Sequence, residues 1–109
     1  MSNNFALTVR LPHNLNMELK TIAKEVGMTR TNLIRAAIHD FLPCDEINLD
    51  FSSEPSVQKD RLVLNINALT YNILETACKK YNQSMNAVIT AVSVLALERP
   101  HPVGSLLPE

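Results

Sequence analysis

The chain has 109 residues, 46% apolar and 19% charged, which fits one folded soluble domain or two very small units. A net charge of −1 excludes a strongly basic nucleic-acid binder, and the longest apolar-rich run, Ala87 to Leu97, is too short to span a bilayer. The charge is nevertheless segregated: residues 1–42 carry +2, residues 43–60 carry −4, residues 61–99 carry +2 and the last ten carry −1.

Phe5, Leu7, Val9 and Leu11 alternate with Ala6, Thr8 and Arg10, the period of a half-buried strand over 5–11 that Pro12 ends. Leu15, Leu19, Ile22, Ala23 and Val26 then form one helical stripe. Gly27 stands where a left-handed C-terminal residue is needed, and Thr29 reads as the N-cap of a second helix. That helix buries Leu33, Ile34, Ala37, Ile38 and Phe41 and is closed by Pro43.

The same order returns 55 residues later without a gap. Arg61 to Asn67 is the second strand. Thr70, Leu74, Ala77, Cys78 and Tyr81 take the stripe positions, Asn82 replaces Gly27, and Ser84 replaces Thr29 as cap. Val88, Ile89, Val92 and Ala96 mark the last helix. Identities are few, Leu19/Leu74 and Ile34/Ile89 among them, yet turn, cap and stripe positions agree. The organisation is therefore a first repeat over 1–42, an acidic linker over 43–60, a second repeat over 61–99 and a flexible tail over 100–109. The linker reads as a loop, long enough at about 60 Å to bring the strands together.

One strand and two short helices cannot bury enough apolar surface alone, and a lone strand needs a pairing partner. Two copies in one chain supply it. The expected fold is mainly α with a two-stranded antiparallel β-ribbon, the two repeats forming an intramolecular pseudo-dimer. One ribbon face, with Leu7, Val9, Leu62 and Leu64, covers the helices; Ala6, Thr8, Arg10, Arg61, Val63 and Asn65 face solvent.

At the strand Ala6–Leu11 before Pro12, the Gly27-Met28-Thr29 turn and the helix opening Thr29-Arg30-Thr31-Asn32, the chain resembles the ribbon-helix-helix family of Arc- and MetJ-like repressors. The resemblance covers nearly all of residues 5–42 and, more weakly, 61–99. It implies a bacterial, phage or plasmid protein that binds double-stranded DNA with its ribbon in the major groove; the cysteines, without a CxxC pair or secretory signal, make a reducing cytoplasm the expected location. Carried over by position, the base-reading residues are Ala6, Thr8, Arg10, Arg61, Val63 and Asn65. Arg can grip guanine O6 and N7, Asn adenine N6 and N7, and Thr or Val a thymine methyl. The phosphate-binding openings are Thr29, Arg30 and Thr31, and Ser84, Met85 and Asn86, where free amides and the helix dipole favour an anion. Val63 and Met85 depart from the usual polar and basic choices. The unlike strands, Ala-Thr-Arg and Arg-Val-Asn, imply an asymmetric site.

Each feature also has an ordinary reading. Arg10 and Arg61 are common solvated strand residues, Thr29 and Ser84 cap helices in any case, and Lys20, Lys24, Lys79 and Lys80 suit a solvated face. His13, His39 and His101 have no metal-ligand spacing, Cys44 and Cys78 form no motif, and no catalytic set is found. No metal, cofactor or enzymatic activity is expected. The last helix is apolar nearly all round, with Ala87, Ala91, Val94 and Leu95 beside its core stripe. Self-association through these four, or cover by Leu106 and Leu107 of the tail, would account for it. The function expected is transcriptional repression or autoregulation. The alternatives are a relaxosome accessory protein, an antitoxin whose tail binds a toxin, and a protein-interaction module without DNA binding.

Overall fold

Alternation becomes strand, and the helical stripes become helices, at every place the sequence marks. The computed structural model describes residues 4–43, 49, 51 and 58–98, without the side chains of Asn4 and Glu98. In order these are β1 (Asn4–Pro12), α1 (His13–Val26), α2 (Arg30–Phe41), β2 (Lys59–Asn67), α3 (Ala68–Tyr81) and α4 (Met85–Glu98). β1 and β2 form one antiparallel two-stranded sheet within the chain.

Both strands are longer than the alternation alone marks. Pairing continues through Leu11↔Asp60 and Pro12↔Lys59. The His13 amide extends it by donating to the Gln58 carbonyl at 2.9 Å. Pro12 fits because it shares the parity of Arg10, whose backbone faces away from β2, so the missing N–H breaks no ladder bond.

The turns follow the same chemistry in both halves. Gly27 has φ 78° and Asn82 φ 54°, both left-handed. The next amide in each case bonds back five residues, Met28 to Ala23 at 2.9 Å and Gln83 to Cys78 at 3.0 Å. Thr29 Oγ1 then accepts from the Asn32 amide, and Ser84 Oγ from the Ala87 amide, each at 3.1 Å. Asn67 adds a cap at the start of α3 by accepting from the Thr70 amide at 2.9 Å. α1 has no side-chain cap.

One core serves both halves, so neither repeat is a separate globule. Val9, Leu11, Leu62, Leu64 and Ile66 from the ribbon meet the stripes Leu15-Leu19-Ala23, Leu33-Ile34-Ala37-Ile38-Phe41, Leu74-Ala77 and Val88-Ile89-Val92-Ala96. The α2–α4 packing is the most extensive between helices, and α1 and α3 each pack against both of them. Cys78 is half-buried on its stripe. The linker contributes more than reach: Leu49 and Phe51 pack on the core, with the Phe51 ring 5.4 Å from that of Tyr81. The rest of the linker, including Cys44, and the tail with His101, Leu106 and Leu107 lie outside the described residues.

The register carries its own symmetry. Thr8 faces Val63, its own counterpart in the other repeat at the offset of 55. The pairs Ala6↔Asn65 and Arg10↔Arg61 exchange under the same shift. The ribbon is thus centred on Thr8↔Val63, where the pseudo-twofold axis of two equivalent repeats would pass.

Part of the apolar character of α4 has an internal cause. It packs against α1, α2, α3 and β1. Ala91 is buried at 3% exposure, and Val94 and Leu95 are half-buried against the core. Ser93 is fully buried and satisfies its hydroxyl on the Ile89 carbonyl at 2.7 Å.

Candidate nucleic-acid interface

The pleat sorts the ribbon into two faces. Val9, Leu11, Leu62, Leu64 and Ile66 point into the core, and Leu7 is half-buried. Ala6, Thr8, Arg10, Arg61, Val63 and Asn65 are all exposed on the opposite face. All six base-reading candidates therefore share one surface. Val63, 47% exposed, is among the few large apolar side chains left to water.

The edge bonds fix how closely these side chains sit. The Arg10 amide donates to Asn86 Oδ1 at 2.7 Å, and Asn86 Nδ2 donates to the Arg10 carbonyl at 3.1 Å. Both Arg10 backbone groups thus face away from β2, which makes Arg10↔Arg61 a pair without mutual ladder bonds. Such pairs bring opposite side chains closest, with Cβ atoms roughly 4.5–5.5 Å apart. Thr8↔Val63 and Ala6↔Asn65 share this parity. Among the described residues, neither Arg10 nor Arg61 has a carboxylate within ion-pair distance.

The helix openings flank this face but are not alike. Asn86, in the first turn of α4, spends its side chain on the β1 edge. The counterpart edge position, Asn65, is held differently: Arg35 of α2 donates to the Asn65 carbonyl at 2.5 Å and also bonds Asn32. With Thr29 and Ser84 capping the third amide of each helix, the amides of Arg30 and Thr31, and of Met85 and Asn86, have no acceptor among the described residues. Thr31 Oγ1 lies 3.2 Å from Thr29 Oγ1.

Arg30 is half-buried and tied inward. Its Nη1 donates to Asn16 Oδ1 at 2.6 Å, and Asn16, itself only 5% exposed, donates to Asp60 Oδ2 at 2.7 Å. His13 Nδ1 lies 2.8 Å from the same oxygen and carries the proton of that bond, since an ionised carboxylate only accepts. The bond from Asn16, then that from His13, hold the Asp60 carboxyl below its usual value of 3.8, against partial desolvation. Arg30 Nε is buried with no acceptor among the described residues.

The symmetry-related place is built from different chemistry. The counterparts of Asp60, Asn16, His13 and Arg30 are Phe5, Tyr71, Ala68 and Met85. There the Phe5 and Tyr71 rings stack with centroids 4.8 Å apart, and Tyr71 and Met85 pack on the core. Reading each residue locally misses both clusters. The signal for them is in the repeat alignment, where polar residues at three stripe-edge positions turn apolar together.

A third polar group closes the β2 side. The buried Thr70 hydroxyl donates to Asn67 Oδ1 at 3.0 Å and accepts from His39 Nε2 at 2.6 Å, which places the His39 proton on Nε2. An open groove of about 580 Å³ runs here between α2, the end of β2 and the start of α3. Among the described residues no cluster of His, Cys, Asp or Glu fits a metal ion, and no helix is long and apolar enough to cross a membrane. No family model, curated protein or solved structure matches the chain.

Proposed function

We propose that the protein is a ribbon-helix-helix DNA-binding protein whose two repeats form a pseudo-dimer, and that it acts as a transcriptional repressor or autoregulator. The observation that carries this reading is the shared exposed face of Ala6, Thr8, Arg10, Arg61, Val63 and Asn65 on an intramolecular antiparallel ribbon. Strands about 4.8 Å apart fit a major groove about 12 Å wide. The unpaired opening amides of α2 and α4 supply phosphate donors on either side. Arg30 adds a full charge beside the α2 opening. In the second half Met85 brings no charge, so only the amides and the helix dipole act there.

Self-association stays part of the proposal for the half-buried Ala87, Val94 and Leu95, as a contact between copies on neighbouring DNA sites. Ala91 drops out because it is buried within the chain. No specific observation favours the relaxosome or antitoxin role, and the tail that the latter needs lies outside the described residues.

The test is selection from a random duplex pool followed by binding at several salt concentrations. Arg10→Ala is expected to weaken the selected site by about 1–3 kcal/mol, the worth of one bidentate base contact. Arg30→Ala is expected to weaken all duplexes alike and lower the salt slope by about one. Repression of a reporter under the selected element checks the regulatory role. A protein that enriches no sequence and binds no duplex at low salt rejects the reading.

A further inference from the structure

The pseudo-twofold axis relates backbones but not the charges on the outer face. Under it Arg10 exchanges with Asn65 and Arg61 with Ala6. The two arginines are therefore not symmetry mates. They face each other across the ribbon at one end, while Ala6 and Asn65 face each other at the other, with Thr8 and Val63 between. In a symmetric dimer each end would carry the same pair.

We propose that the ribbon reads a directional, non-palindromic element, with guanines clustered under Arg10 and Arg61 at one end and an A·T step under Asn65 and Ala6 at the other. This rests on the DNA-binding reading above and deepens it. Like charges directly opposite each other cost stability in a sheet. Here they sit at the closest type of cross-strand pair, exposed, with no carboxylate within ion-pair distance among the described residues. Guanine O6 and N7 accept two bonds from a guanidinium, and no other base offers that acceptor pair in the major groove. Two such donors side by side fit guanines on adjoining base pairs, on the same or opposite strands. At the far end a carboxamide matches adenine N6 and N7, and the Ala6 methyl leaves room for a thymine methyl.

Scale sets the spacing. Four residues separate Arg10 from Ala6, about 13 Å of strand. At about 3.4 Å per base pair the two ends lie about four base pairs apart. The edge bonds support this placement: Asn86 holds the Arg10 backbone through both its amide and carbonyl, so that guanidinium leaves a fixed point.

The experiment is parallel selection from a random duplex pool with the full chain and with Arg10→Ala, Arg61→Ala and Asn65→Ala. All three side chains are exposed, and thermal melts confirm folding. The expected wild-type consensus lacks dyad symmetry. Arg10→Ala and Arg61→Ala are expected to relax the same end, each lowering guanine preference there roughly tenfold or more. Asn65→Ala is expected to relax the opposite end, about four base pairs away. A palindromic wild-type consensus, or arginine variants that relax opposite ends, overturns the directional reading and leaves DNA binding standing. Failure to enrich any sequence, with salt-dependent binding to duplexes retained, overturns the directional reading alone; failure to bind any duplex at low salt overturns both.

Discussion

Asn86→Ala probes the joint between α4 and the ribbon. The carboxamide makes two bonds to the Arg10 backbone, at 2.7 and 3.1 Å. Each is worth about 1 kcal/mol net, because water replaces part of it at an exposed edge. Alanine returns up to about 0.5 kcal/mol in helix propensity. The expected loss is about 1–1.5 kcal/mol, or roughly 5–10 °C in Tm for a domain of this size. Thr31→Ala is the matched control, since Thr31 holds the same place in α2 and its hydroxyl meets only Thr29 Oγ1. It is expected to cost less than about 0.5 kcal/mol, the usual range for a surface substitution. Asn86→Asp keeps the acceptor for the Arg10 amide but sets a carboxylate against the Arg10 carbonyl, and is expected to fall between. Urea and thermal melts of the three variants measure this. Equal stabilities for Asn86→Ala and Thr31→Ala would show that the carboxamide bonds contribute nothing, and the argument for a fixed Arg10 would go with them.

Acid stability follows from Asp60. Its carboxyl is held below 3.8 in the fold, so its contribution is complete above that value and is lost as pH falls through the lower folded value. Urea melts from pH 7 to 3 are expected to show this acid limb in the wild type and a weaker one in Asp60→Asn. Ile34 and Ile89 are symmetry counterparts at 0% exposure in one shared core. Ile34→Ala and Ile89→Ala are each expected to cost about 2–5 kcal/mol and to unfold the chain in a single transition, read by circular dichroism and tyrosine fluorescence together. Two separated transitions would contradict the shared core. At Gly27 a Cβ meets nothing within 4 Å, but φ is +78°, so Gly27→Ala is expected to cost about 1–2 kcal/mol through backbone conformation alone. Gly27→Asn is expected to cost less in the same melts, since Asn82 already occupies the equivalent conformation.

What the sequence makes legible is local. Alternation at Phe5–Leu11 and Arg61–Asn67, the left-handed Gly27 and Asn82, and the caps Thr29 and Ser84 depend on neighbours a few residues away. The gap-free offset also implies the pairing of β1 with β2, because two equivalent strands meet about an axis. What escapes is long-range polar contact. His13 and Asn16 reach Asp60 across 47 and 44 residues, and Asn86 reaches Arg10 across 76. No periodicity announces a bond that crosses from one repeat to the other. For the same reason the sequence does not show that the neighbouring elements bury Ala91 while leaving Ala87, Val94 and Leu95 half-buried. The candidate interface shows the same division. Which side chains face out is set by parity, but which of them stand together depends on register, and the two arginines become a pair only once Arg10 is seen opposite Arg61.

The unlike clusters at symmetry-related places bear on partner choice while the chain folds. Backbone geometry alone would let β1 of one molecule pair with β1 of another. In that assembly Phe5 would stand where Asp60 belongs. Asn16 and His13 would then meet a phenyl ring instead of a carboxylate, and the buried Asn16 carboxamide would lose its acceptor, at about 1–3 kcal/mol. Pairing β2 with β2 would set Asp60 against Tyr71 and forfeit the ring stack. Only the joining of unlike halves satisfies both places at once. A molecule carrying two self-complementary strand-helix-helix units is thereby steered away from chains of like-with-like pairing, a hazard that an identical tandem duplicate would face at high concentration.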